Sequence, residues 1–351
     1  MNILVTGGCG FIGSRMIRYL LDQTPHSVVN VDSLTYAGSI ENVKSVQTHV
    51  RYSFYHVNIC EEEAVLAILK RHRIDCVMHL AAETHVDRSI MSSDPFMQSN
   101  VVGTQRLLEA ARRYLDLSET TVTKSQFRWL QVSTDEVFGD RGANSLPSLE
   151  TDPYMPSSPY SASKASADHL VRAYERTHGI QAVITYATNN FGPSQHPEKL
   201  IPLTVQRAMS GQIIPIYGTG EQVREWIHVD DHVEGLFVAL TAGVPGQSYN
   251  LGSGERVTNL EIVETICEVL DQWRADWSCQ AESSTRGFIR HVPDRLGHDT
   301  RYALDSSKAA AALNWRASRS LSAGLRETIV EIANNYRPLE STKLQSEGAQ
   351  R

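Results

Sequence analysis

The sequence predicts an α/β fold, a doubly wound parallel sheet with a smaller C-terminal domain interleaved into it. A strand runs directly into a glycine-rich turn and a helix at the start of the chain. Strand-like and helix-like segments then alternate to about residue 190, the pattern of parallel strands joined by helical crossovers. Beyond that point Pro193, Pro197, Pro202 and Pro215 interrupt the alternation and shorter elements follow.

In order, residues 2–6 read as a short buried strand, Gly7, Gly10 and Gly13 as the turn, and residues 14–21 as a helix. The next strand, 27–31, ends at Asp32, and a loop follows over 33–41. A strand over 51–56 ends near Asn58, and a helix over 61–71 carries Val65, Leu66, Ile68 and Leu69 on one face. Residues 76–80 are a buried strand that runs into Ala81 and Ala82. Pro95 opens a long helix over 94–114, and residues 120–125 read as a surface loop. A strand over 127–133, a long helix over 158–178 and a strand over 181–186 complete the alternation. Ligands of such sheets lie at the carboxyl ends of the strands, so Asp32 and residues 81–87, 133–139 and 188–193 should face one cleft. Residues 1–188 are expected to form the dinucleotide domain, with 227–255 returning to it, and 189–335 to form mainly the substrate domain. The polar, aperiodic stretch 338–351 reads as a disordered tail.

At 351 residues, with 41% hydrophobic and 21% charged side chains, the composition is that of an ordinary globular protein. A net charge of −7 without a basic block argues against a nucleic-acid surface. No apolar run approaches membrane-spanning length and no signal peptide precedes the first strand. Cys9, Cys60, Cys76, Cys267 and Cys279 are scattered and odd in number, as in a reduced, cytoplasmic protein. The 13 histidines show no metal-ligand spacing; His79 and His85 read as structural or substrate contacts, and no metal is expected.

The glycine turn lets backbone approach a diphosphate, and the helix behind it offers free N–H groups and a partial positive charge. Asp32 can accept hydrogen bonds from ribose hydroxyls and would repel a 2′-phosphate, which favours NAD over NADP. Tyr160 and Lys164 stand four apart at the start of a helix, on one face. An ammonium beside a phenol favours phenolate, so Tyr160 can take a proton from an alcohol, with the Thr134 hydroxyl bonding that alcohol.

With Thr-Gly-Gly-Cys-Gly-Phe-Ile-Gly at 6–13, Asp32, Leu80-Ala81-Ala82, Thr134 and Tyr-Ser-Ala-Ser-Lys at 160–164, the chain resembles the extended short-chain dehydrogenase/reductase family to about Asn335. The resemblance implies a Rossmann fold and NAD held by Gly7, Gly10, Phe11, Ile12, Gly13, Asp32, Ser33, Thr35, Asn58, Ile59, Leu80, Ala81, Ala82, Asn100, Tyr160 and Lys164. It also implies a homodimer in which helices 100–114 and 160–178 pair into a four-helix bundle. Apolar stripes at Val102, Leu107, Leu108 and Ala111, and at Ala165, Leu170, Val171 and Tyr174, suit that pairing.

Asp135 and Glu136 directly follow the Thr134 hydroxyl. Oxidising an alcohol needs only Tyr160 and NAD; a second acid and base are needed when a C–H and a C–O bond must also break. A 4-ketone acidifies the hydrogen at C5 of a hexose. Glu136 can take it while Asp135 protonates the departing O6, and the hydride returns to C6. Further runs at 31–38, 84–89, 133–139, 189–193, 197–202, 217–220, 224–226 and 294–299 narrow the resemblance to the nucleotide-sugar 4,6-dehydratases, most closely those acting on dTDP-glucose. By that resemblance Asn190, Arg224 and Arg295 hold the sugar diphosphate. His85, Glu198, Lys199, Leu200, Pro215, Tyr217, Asn259 and His298 then line the sugar or nucleotide pocket. Asn58 stands where the family usually has Asp, Phe191 replaces a common Tyr and Leu296 a common Pro. A UDP-glucose dehydratase, a 4-epimerase and a non-catalytic NAD sensor are the alternatives. An epimerase does not need the two carboxyls, and a sensor needs none of the reactive groups.

Overall fold

The computed structural model describes residues 1–117, 120, 122–142, 145–277 and 284–336. The 338–351 tail, Cys279 and Thr121 lie outside the described residues. The first six strands are β1 (Asn2–Thr6), β2 (Ser27–Asp32), β3 (Tyr52–His56), β4 (Cys76–His79), β5 (Arg128–Thr134) and β6 (Gln181–Ala187). The later ones are β7 (Asn189–Phe191), β8 (Ile214–Tyr217), β9 (Val223–His228), β10 (Ser248–Leu251), β11 (Arg256–Thr258) and β12 (Ile289–Val292). One parallel sheet of seven strands runs β10-β6-β5-β4-β1-β2-β3.

Helices α1 (Phe11–Gln23), α2 (Glu62–His72), α3 (Val86–Met91), α4 (Asp94–Phe96), α5 (Gly103–Leu115) and α6 (Pro159–His178) belong to the first half. After them come α7 (Leu200–Met209), α8 (Val229–Ala242), α9 (Asn259–Trp277), α10 (Ser307–Leu313) and α11 (Leu321–Asn335). Side chains of successive strand residues point to opposite faces. Leu4 therefore packs with α2, α5 and α6, while Ile3 and Val5 pack with α1, α8 and α10. Both faces are covered, which is why β1 from Ile3 onward and all of β4 are buried rather than alternating with exposed positions.

The smaller lobe has its own core, built by α7, α9 and α11 around Phe191, Ile214, Ile216 and Trp226. It carries a three-stranded sheet, β11-β9-β7, and a two-stranded one, β12-β8. The chain passes between lobes more than once: α8 and β10 join the large sheet, and α10 with Trp315 packs there again.

The single helix expected over 94–114 is instead α4, a π-helical turn (Met97–Val102) and α5. The π turn carries Asn100, whose side chain is turned into the protein; insertions of this kind cluster at functional sites. The first helix begins at Phe11, earlier than its apolar pattern indicates, because Gly10 serves as the N-cap. The apolar stripes read as a bundle surface are mostly internal. Leu107, Leu108, Ala111, Ala165 and Val171 pack on their own sheet, whereas Val102 is exposed.

Candidate active site

A cavity of about 310 Å³ opens along the carboxyl ends of β1, β2, β4, β5 and β6. Gly7, Gly10, Phe11, Ile12, Gly13, Asp32, Ser33, Thr35, Asn58, Ile59, Leu80, Ala81, Ala82 and Tyr160 all line it. Gly7 has φ +71°, and a Cβ there would sit 2.7 Å from the backbone of Ala81. At Gly13 a Cβ would lie 2.1 Å from the carbonyl oxygen of Gly7. Only glycines allow β1, its turn, α1 and the end of β4 to meet so closely. The first N–H groups of α1 are left free toward the cavity end, with no side-chain cap. Asp32 accepts from the N–H groups of Cys9 and Leu34, both at 2.8 Å, which aims its carboxylate. Burial pushes its pKa up while those two bonds hold it down. This cradle and donor set fit a dinucleotide.

Asn58 lines the cavity, but its Oδ1 accepts the Cys60 N–H at 2.9 Å, so one lone pair remains for a ligand. Asn100 does not line it. Its side chain accepts from Glu83 N–H and donates to Glu83 O and to Ser163 Oγ, pinning the cavity wall to α6.

β5 runs past the end of β4, since His79 pairs with Gln131. Its last residues, Ser133 and Thr134, and the following Asp135 and Glu136 therefore project into the cavity. Helix α6 starts sharply because Ser158 and Ser161 form a reciprocal capping box and Pro159 occupies the first turn. That places Tyr160 at the cavity in the first turn and Lys164 one turn behind, both buried. The Thr134 hydroxyl donates to Asp135 Oδ1 at 3.2 Å and accepts the Glu136 N–H at 3.3 Å. Lys164 Nζ donates to Val132 O at 2.8 Å and lies behind the lining. The net push on the Tyr160 phenol is upward, from burial first and then the Glu136 charge, with a hydrogen bond to Thr134 opposing. Burial thus outweighs the help expected from the ammonium.

The two carboxyls are driven differently. Burial, then the neighbouring Glu136 and Glu225 charges, push Asp135 well above the usual carboxylate range. Burial also raises Glu136, but Arg224, Arg295 and Lys199 pull it back toward the ionised form. A proton donor and a proton acceptor side by side are what acid–base chemistry requires.

Asn190, Glu198 and Lys199 line the same cavity. Both Glu198 carboxylate oxygens and Asn190 Oδ1 are buried without a hydrogen-bond partner. Glu198 lies 3.6 Å from His85 and 3.7 Å from Arg88, while Lys199 Nζ donates to Thr84 O at 3.1 Å. Arg224 donates to Val223 O and Asp299 O and lies over the Tyr302 ring at 4.6 Å. Arg295 reaches Asp87 at 3.4 Å, and His298 bonds Asp294 at 2.7 Å. His85, Leu200, Pro215, Tyr217, Arg224, Asn259, Arg295 and His298 are not part of the lining. Leu200 opens α7, Pro215 and Tyr217 sit on β8, and Asn259 opens α9. Leu296 is exposed, and Phe191 is buried against Trp226 and His228.

Residues 4–328 match the model of the GDP-mannose 4,6 dehydratase family. The chain belongs to that family. Within the dehydratase family's relatives, dTDP-glucose 4,6-dehydratase of Escherichia coli is 46% identical over 344 residues, 95% of this chain and 94% of the relative. The solved dTDP-glucose 4,6-dehydratase of Streptomyces venezuelae, with NAD bound, superposes with a TM-score of 0.86 at 40% identity, covering 95% of this chain and 98% of that one. UDP-glucose 4-epimerase of Thermotoga maritima, with UDP-glucose, gives 0.81 at 28% identity, covering 95% and 99%. The dehydratase fold is therefore shared with epimerases, and the residues at the cavity must separate the two activities.

Several residues of this dehydratase-family site were not singled out from the sequence. Gln195, His196 and His232 line the cavity, beside Glu83 and Thr84 of the 81–87 segment expected at the cleft. His232 is buried with neither ring nitrogen bonded, and burial pushes its pKa down to about 3. Asp168 accepts from Ser133 Oγ at 2.5 Å and from the Tyr154 hydroxyl at 3.2 Å. It stands four residues beyond Lys164, so continuing the helical spacing from Tyr160 would have found it.

Proposed function

We propose that the enzyme removes water from dTDP-glucose to give dTDP-4-keto-6-deoxyglucose. The glycine cradle and Asp32 would hold NAD, which would supply the acceptor for the C4 hydride and its return to C6. Tyr160 takes the proton of the C4 hydroxyl, which Thr134 orients. Glu136 removes the proton at C5. Asp135 gives its proton to O6, which leaves as water. Arg224, Arg295 and Asn190 hold the diphosphate, with Glu198 and Lys199 beside the sugar or nucleotide. The observation that carries this reading is the adjacent Asp135–Glu136 pair lining the cavity with Thr134 and Tyr160; burial raises both carboxyls, and only at Glu136 do three cations oppose it as the next causes. A 4-epimerase has no task for such a pair.

The test is an assay with dTDP-glucose and, in parallel, UDP-glucose. The 4-keto product should develop its ultraviolet absorbance in alkali, faster from the dTDP sugar, and without stoichiometric NADH. Consumption of NADH, or a 4-epimer with no alkali-sensitive product, would refute the reading.

The active form is a homodimer in this reading. Among the described helices, α5 and α6 sit side by side, and Met97 and Val102 are exposed at the two ends of the π turn that leads into α5. Sedimentation at micromolar concentration should give twice the chain mass of 39.1 kDa; a monomer there would remove the dimer. Among the described residues no helix is long and apolar enough to cross a membrane. A cytoplasmic location accords with free thiols at Cys9, Cys60, Cys76 and Cys267.

A further inference from the structure

Helix α6 presents Tyr160, Lys164 and Asp168 on one stripe, each one turn from the next and all buried. The first two serve the reaction proposed above; Asp168 has no part in it. Its surroundings are nonetheless built. Ser133 Oγ–H and the Tyr154 hydroxyl both donate to Asp168 Oδ2, and Oδ1 is buried and unpartnered. Tyr154 bonds Tyr186 at 2.6 Å, and Arg172 donates to Tyr186 at 2.9 Å. On β5, Val132 O receives the Lys164 ammonium and the next residue, Ser133, donates to Asp168. Two successive strand residues are thus tied to two successive turns of the helix.

A buried ammonium needs a compensating charge. Lys164 forms no direct ion pair among the described residues, and one helical turn away stands a carboxylate fixed by two hydroxyl donors. We propose that Asp168 is a positioning residue: its tethered carboxylate keeps Lys164 an ammonium beside Tyr160 and clamps the end of β5, with Thr134, Asp135 and Glu136, against α6. Burial lowers the Lys164 pKa and the Asp168 charge raises it; Lys164, Ser133, Tyr154 and Arg172 in turn draw down Asp168, which burial has lifted to about 6. The other groups around the pair are Tyr160 on α6, Asp135 and Glu136 after β5, Tyr186 on β6 and His79 on β4. Burial pushes His79 down to about 3, with the Lys164 charge assisting.

The inference rests on the dehydratase reading for its kinetic arm only. Asp168→Asn keeps the size and a hydrogen-bond acceptor but removes the charge. The alkaline limb of C4 oxidation should move down by about 1–2 pH units, the order expected for one charge a helical turn away at an effective dielectric near 20. Asp168→Glu should restore most of it. Nitrogen NMR titration of Lys164 in the substrate-free protein should show the same downward shift, whatever reaction the enzyme catalyses. Ser133→Ala keeps the charge but removes a donor, so the acid limb should rise while the alkaline limb stays. An Asp168→Asn protein whose Lys164 titrates as in the wild type overturns the proposal. If that variant does not fold, a Ser133→Ala protein with both limbs unmoved overturns it instead. A wild type that oxidises no nucleotide sugar would refute the dehydratase reading and leave the NMR result standing.

Discussion

Glu136→Gln should lower formation of the 4-keto-6-deoxy product by ~10²–10⁴-fold, the usual contribution of one positioned base, while oxidation at C4 survives. The amide keeps the side chain's length and cannot accept the C5 proton. Tyr160, Lys164 and the Asp32 side of the cavity are untouched. Reduced nicotinamide should accumulate on the enzyme in a single turnover, and exchange of the C5 hydrogen with solvent deuterium should slow in step. Asp135→Asn should give the same loss of product, but the C5 exchange should continue, because only departure of water is blocked. Tyr160→Phe should stop the first hydride transfer, so no reduced nicotinamide appears. Product at the wild-type rate from the Glu136→Gln enzyme would withdraw the assignment of both carboxyls.

Gly13→Ala should abolish dinucleotide retention and lower the melting temperature by several degrees. The added Cβ would meet Gly7 O at 2.1 Å and Gly8 Cα at 2.7 Å. These are backbone atoms of the phosphate turn itself, so no side chain can swing aside. Overpacking of this kind costs about 1–3 kcal/mol, and relief requires moving α1 off β1, which dismantles the cradle. Protein-bound NAD measured after purification, alongside calorimetry, checks both parts. A variant that keeps wild-type NAD content would show that the turn is not the diphosphate cradle.

What could be read from the sequence was local. The glycines and Asp32 lie on contiguous segments whose spacing dictates a turn and a strand end, and Tyr160 and Lys164 are neighbours by helical period alone. The parallel sheet followed from the alternation of strands and helices. The rest depends on contacts distant in the chain. Nothing near Asn100 announces that it bonds Glu83 and Ser163, and with that contact comes a π turn in place of regular helix. The apolar stripes of α5 and α6 were legible, but the surface they cover was not, because a sheet face and a partner helix demand the same residues. Ser133 and Tyr154 became meaningful only once both met Asp168.

The order of strands in the large sheet also governs how the chain can be made. β10, which closes the edge beside β6, comes only after β7, α7, β8 and β9 of the small lobe, and α10 seals the same layer after α9 and β12. A ribosome that has released residues 1–188 has therefore exposed the glycine cradle and Asp32 beside a bare sheet edge. Such an edge invites pairing with another nascent chain. Neither lobe is a separable module: a fragment cut at residue 188 should aggregate, and domain exchange with related proteins should succeed only when 229–251 and 307–315 travel with the first half.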